Sequence, residues 1–239
     1  MSLYAKHRIR SFATLLGTAL LLVGCAPQAL TRASSQTGAQ HSSQAASPAA
    51  SPAASPEAAL ADIQVESPMT IATGTVGDRL LKLCLVKGRY YEDWNPGPMM
   101  GGVWEGEFQL VLVDASGKVL SETALDPIHP TDPMAFNDRF EIPVDDINGE
   151  GCPDFLIGQY GSSNGNDYRI YTIGAENEIR VLGIKDRQYL TISDADGRYA
   201  TRLDKVDEKT CRIQTYNNAE GMITTQWRWN GTQFEKLAD

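Results

Sequence analysis

Asp146, Asn148, Glu150 and Asp154 place side-chain oxygens at positions 1, 3, 5 and 9 of one short segment, and Gly151 stands at position 6. Carboxylates and amides are hard donors, and calcium takes six to eight such oxygens at about 2.3–2.6 Å. Alternate positions in a tight loop turn their oxygens toward one centre, and glycine permits the sharp turn this needs. The backbone carbonyl at position 7, that of Cys152, is a ligand whatever its side chain. The expected metal set is therefore Asp146, Asn148, Glu150, Cys152 and Asp154, with Ca2+ as the cofactor. The competing reading is an acidic, Asx-rich turn that binds nothing tightly.

The flanking elements decide which kind of loop this is. Phe140-Glu141-Ile142-Pro143-Val144 before it and Phe155-Leu156-Ile157-Gly158 after it read as strands. An EF-hand needs helices there and a bidentate glutamate at position 12, where this chain has Ile157. Val144 to Gly158 instead resembles the strand–loop–strand calcium unit of the FG-GAP/VCBS repeats, D-x-[DN]-G-D-G-x-x-D followed by apolar residues and glycine. The match is at Asp146, Asn148, Gly149, Gly151, Asp154 and Gly158, with Glu150 in place of the usual aspartate. The resemblance implies calcium binding between β-strands. A complete propeller is not expected, because only one good copy is present; Ile192-Ser193-Asp194-Ala195-Asp196-Gly197 fits positions 3, 5 and 6 but has Ile192 at position 1.

Other chemistry is sparse. His129, in Ile128-His129-Pro130, is the one histidine after residue 60, so a Ser–His–Asp triad or a histidine metal site has to use it. A surface-loop histidine is the expected reading. Acidic residues are too many for a glycosidase pair to be singled out. Cys84, Cys152 and Cys211 leave two options open, one disulfide plus a thiol or three thiols, and no C-x-x-C motif is present. Tyr90 to Trp104 reads as a loop rich in aromatics and glycine, with Tyr90, Tyr91, Trp94 and Trp104 as a possible binding surface for peptide or glycan. Its alternative is a loop that packs its aromatics over one end of a sheet.

The N-terminus carries an address. Lys6, Arg8 and Arg10 precede an uncharged, mostly apolar run of thirteen residues, Ser11 to Val23. That is shorter than the ~20 residues of a spanning helix and matches a secretory h-region. Leu22-Val23-Gly24-Cys25 resembles the lipobox of bacterial lipoproteins. The resemblance implies cleavage after Gly24 and a thioether-linked diacylglycerol on the Cys25 thiol. Since one acyl chain anchors only marginally, two or three chains on Cys25, palmitate among them, are implied. Residues 1–24 are then a signal peptide. Residues 25–60 are the lipidated cysteine and a disordered Ala/Ser/Pro tether with the repeat Ser47-Pro48-Ala49-Ala50, Ser51-Pro52-Ala53-Ala54, Ser55-Pro56-Glu57-Ala58. Fully extended, it spans about 110 Å.

Residues 61–239 form the expected single folded domain. Leaving out Lys6, Arg8, Arg10, Arg32 and Glu57 takes the net charge from −9 for the chain to −12 for this region. Such a surface disfavours nucleic acid, which needs a basic face. Overall composition, 42% hydrophobic and 21% charged, excludes a coiled-coil rod, a multi-span membrane protein and a chain disordered throughout. The period of the apolar residues is two. Leu81–Lys87 and Glu107–Val113 read as strands, the latter turning at Asp114-Ala115-Ser116-Gly117 into Lys118–Glu122. Tyr168–Ile173 pairs with Ile179–Leu182, and Ile223–Trp229 returns through Asn230-Gly231 into Thr232–Lys236. The expected class is all-β, with antiparallel sheets joined by hairpins in a sandwich or partial propeller-like arrangement. The functional expectation is a membrane-anchored extracytoplasmic lipoprotein, on the cell or outer membrane, whose calcium-stabilised β domain is a binding module for an envelope protein or glycan. The rival is an envelope hydrolase using loop carboxylates, which a constellation of acids converging on His129 would favour.

Overall fold

The structure, a computed structural model, describes residues 62–238. They form strands and turns, with no helix among them. Seven strands make the first sheet: β1 (Ile63–Val65), β2 (Met69–Val76), β3 (Arg79–Asp93), β4 (Gly101–Val113), β5 (Val119–Leu125), β6 (Ala135–Phe136) and β7 (Phe140–Glu141). Its main path runs β5-β4-β3-β2-β7, with β1 beside the distal half of β3 and β6 beside β4. Then follow β8 (Asp154–Ser162), β9 (Gly165–Ile173), β10 (Ile179–Val181), β11 (Gly183–Ile184), β12 (Leu190–Ile192), β13 (Asp204–Lys205), β14 (Thr210–Asn217), β15 (Gly221–Trp229) and β16 (Gln233–Lys236). Strands β8, β9, β10 and β12 form a second sheet, and β11-β16-β15-β14-β13 a third. Pairing is antiparallel throughout except β2 with β7 and β11 with β16. None of the sheets closes on itself.

The second sheet is the middle layer. Phe155, Ile157, Tyr171 and Ile173 point one way, into a core shared with Leu81, Leu83, Phe108 and Leu110 of the first sheet. Leu156, Tyr168 and Ile170 point the other way, into a core shared with Ile213, Trp227, Trp229 and Phe234 of the third. A strand buried on both faces reads as a continuous apolar run rather than an alternation, which accounts for Phe155-Leu156-Ile157. On the third-sheet side Gly158 leaves room for the Tyr168 ring, which a Cβ there would overlap.

The hairpins form where the periodicity placed them. β4 and β5 pair through a turn in which Asp114 Oδ1 accepts from the Ser116 and Lys118 amides. β9 meets β10 with Ile173 opposite Ile179, and β15 meets β16 with Trp229 opposite Phe234. At the Asn230-Gly231 turn, Gly231 takes φ +100°, a conformation that side chains beyond glycine rarely adopt. One expected boundary is corrected. Tyr90 to Trp104 is not a loop: β3 runs to Asp93 and β4 begins at Gly101, so only residues 94–100 connect them. Aromatic side chains fit a pleated surface, and Gly88 facing Gly106 lets the two backbones approach closely in mid-ladder.

The acidic loop and its surroundings

The loop from Asp146 to Pro153 closes at its base by a reciprocal backbone pair. The Asp145 amide donates to the Asp154 carbonyl at 2.9 Å, and the Asp154 amide to the Asp145 carbonyl at 2.6 Å. Inside, Asp146 accepts from the Glu150 amide through Oδ1 at 3.1 Å and from the Gly151 amide through Oδ2 at 3.0 Å. Asn148 Oδ1 accepts from the Glu150 amide at 3.0 Å. Asp154 Oδ2 accepts from the Ile147 amide at 2.9 Å and the Asn148 amide at 3.1 Å. Gly149 and Gly151 sit at φ +71° and +77°, which supplies the tight curvature. The side chains expected as metal ligands thus also organise the loop backbone.

Asp154 is the unusual member. It has no exposed surface, and its Oδ1 has no hydrogen-bond partner. Thr172 stands directly opposite on β9, and its hydroxyl is likewise buried without a bond of ordinary geometry. Burial pushes the Asp154 carboxyl up from 3.8 to about 6. The Thr172 hydroxyl and the Asn148 and Ile147 amides oppose that rise, and the Asp146 charge adds to it. Among the described residues no three His, Cys, Asp or Glu side chains are gathered into a metal cage. The loop instead offers hard oxygens of mixed kind: the Asp146, Glu150 and Asp154 carboxylates, the Asn148 amide and the Cys152 carbonyl. With the unpaired Asp154 Oδ1, this donor set fits a hard divalent cation in chemistry. Glu150 is already engaged, since its Oε1 accepts from the Trp229 indole at 2.8 Å.

The candidate aromatic surface divides. Tyr90 and Trp104 are cross-strand partners with rings 5.4 Å apart, and the Arg139 guanidinium lies 5.7 Å from the Trp104 ring. Tyr91, on the opposite face, donates to Glu105 Oε2 at 3.1 Å and lies under Arg89. All three are half-buried in the hairpin. Trp94 alone stands out, 64% exposed beside Met100 at 50%. The connection carrying them is fastened from below, as Arg198 and the Asn137 amide donate to the Pro98 carbonyl and Asn137 also to that of Met100.

His129 is not a free surface side chain. Its Nε2 lies 3.1 Å from Asp167 Oδ2, with side-chain exposures of 28% and 7%. Asp167 Oδ1 accepts from Thr191 Oγ1 at 2.6 Å, and the Tyr189 ring meets the imidazole edge-on at 5.4 Å. Nothing in the sequence marks Asp167 as the partner; the contact depends on the first and middle sheets packing together. Cys84, Cys152 and Cys211 are all free thiols.

Cys25, the signal peptide at 1–24 and the tether at 25–60 lie outside the described residues. The chain matches no protein-family model, no curated protein and no solved structure.

Proposed function

We propose that this chain is a lipid-anchored, extracytoplasmic lipoprotein whose β domain is a binding module held in shape by calcium at the 146–154 loop. The observation that carries the cation reading is Asp154, a fully buried carboxylate with two loop amides on one oxygen and, on the other, no hydrogen bond of ordinary geometry, the Thr172 hydroxyl being its neighbour. A buried charge without a partner is costly, and a bound cation removes that cost. Asp146, Asn148, Glu150, Asp154 and the Cys152 carbonyl would hold the ion. Its contribution there is positive charge at the junction of the middle and third sheets, hence stability. Anchoring rests on Leu22-Val23-Gly24-Cys25, and binding on the exposed Trp94 and Met100 at the end of the long β3–β4 hairpin, a surface for an envelope protein or glycan.

The test is thermal unfolding of the full chain in chelator, in calcium and in magnesium. At a hundredfold excess over Kd a ligand bound only by the folded state adds about 2.7 kcal/mol, a rise of several degrees at this size. Magnesium should do less, because it demands a tighter octahedral shell. Equal melting temperatures in all three would remove the cation from the account.

One observation favours the rival hydrolase. His129 Nε2 lies 3.1 Å from Asp167 Oδ2 without hydrogen-bond geometry, beside a hollow of about 160 Å³ lined by Asp132, Gln159 and Tyr160, where an acid and an imidazole could act together once aligned. Release of reducing ends from cell-wall glycan by the wild type, lost in His129→Gln, would support that reading; no turnover leaves the contact a packing feature.

A further inference from the structure

Glu150 stands where the FG-GAP/VCBS pattern has aspartate, and its extra methylene has a specific use. Its Oε1 accepts the Trp229 indole N–H at 2.8 Å, a contact between residues 79 positions apart. Trp229 is 5% exposed, and its ring lies 5.1 Å from Phe234 in the core between the middle and third sheets. An indole N–H buried there needs an acceptor. An aspartate reaches less far by roughly one bond length, about 1.5 Å, and would leave the indole without one.

Three further contacts seat the same loop on the third sheet. The Lys205 ammonium, from β13, donates to the Asp146 carbonyl. Gly149 lies so close to the β13–β14 turn that a Cβ would sit 2.7 Å from the Glu208 carbonyl oxygen. Ile147 is buried in the core that contains Trp229. A separate group points to the ligand: Asp154 Oδ1, fully buried and unpartnered, on a carboxylate whose other oxygen binds the loop amides.

We propose that Glu150 is a positioning residue that couples cation occupancy of the 146–154 loop to the packing of the third sheet through Trp229. This rests on the calcium reading above. One carboxylate serves both sides. An ion in the loop attracts Glu150 and alters its bond to the indole, and loss of that bond alters the affinity for the ion by the same factor, because coupling between sites is reciprocal. The third sheet, two layers away from the first, thereby senses the loop.

Calcium chloride is titrated into the full chain while heat and intrinsic tryptophan fluorescence are recorded. The chain has four tryptophans, so Trp229→Phe isolates the contribution of one. The wild type should show saturable heat with a fluorescence change at the same midpoint. Trp229→Phe should keep the heat, lose most of the fluorescence change and bind about five- to tenfold differently. Glu150→Asp should bind calcium with the fluorescence change largely gone. Glu150→Gln, which keeps an acceptor for the indole, should retain the ion-free spectrum of the wild type and bind calcium more weakly. Binding with an undiminished fluorescence change in Trp229→Phe, or a wild-type response in Glu150→Asp, overturns the coupling and leaves the calcium reading intact. No heat in the folded wild type overturns both.

Discussion

Asp154→Asn replaces one buried carboxylate by an amide of the same shape, and it should stabilise the cation-free protein while abolishing its response to calcium. The Asp154 carboxyl is raised from 3.8 to about 6 by burial. A raised acid contributes stability that is fully present below its unfolded value and is lost as pH rises through its folded value, here between about 4 and about 6. Above pH 6 the wild type therefore carries a penalty of at most about 3 kcal/mol, at 1.36 kcal/mol per unit. Asparagine carries none. Its oxygen still accepts from the Ile147 and Asn148 amides, and its NH2 faces the Thr172 hydroxyl, which lacks a partner. In chelator at pH 7.5 the variant should be more stable by about 1–3 kcal/mol, roughly 2–12 °C in melting temperature. The gain should vanish below pH 4. The assay is thermal unfolding by circular dichroism of the full chain across pH 4–8, in chelator and in calcium. A variant less stable than wild type in chelator at pH 7.5, or a gain that does not depend on pH, would refute the reasoning.

Cys25→Ala should abolish labelling by a fatty-acid analogue and move the protein out of the membrane fraction; unchanged retention alongside an unlabelled wild type would contradict the lipoprotein reading. Gly158→Ala should cost about 2 kcal/mol or more, because its Cβ would overlap the Tyr168 ring in a core with no slack; denaturant unfolding reads this, and a change within 0.5 kcal/mol would show that the middle sheet is loosely packed. His129→Ala should cost no more than about 1 kcal/mol in the same assay, because His129 Nε2 stands 3.1 Å from Asp167 without forming a hydrogen bond and Asp167 keeps its bond from Thr191; a larger loss would show that the contact holds the two segments together.

The strands were legible where one face is buried and the other is wet. Leu81–Lys87, Glu107–Val113 and Ile223–Trp229 alternate because each belongs to an outer sheet, and Asn230-Gly231 fixes its turn through a conformation glycine adopts freely. The reading of Tyr90–Trp104 as a loop went wrong because glycine and proline cluster at 95–102, which hides two strands that run together from Arg79 to Val113. β2, with its Thr-Gly-Thr end, and β14 carry weak patterns, and both take their place from neighbouring strands. That Phe155–Ile157 lies in a sheet covered on both faces is a property of the stacking, and stacking has no short-range signal. The acidic loop was legible as a loop because its spacing is local. The commitment of Glu150 to Trp229 and of His129 to Asp167 was not, since each joins residues that only the packing of sheets brings together.

The most direct test of the central claim is a calorimetric titration of calcium into the full, folded chain, beside Asp146→Ala. The account predicts saturable binding at one site per chain in the wild type and loss of most of that affinity in the variant, which removes both a donor and the cap on the Glu150 and Gly151 amides. A folded wild-type chain that takes up no calcium would contradict it and reduce residues 146–154 to an acidic turn seated on the third sheet.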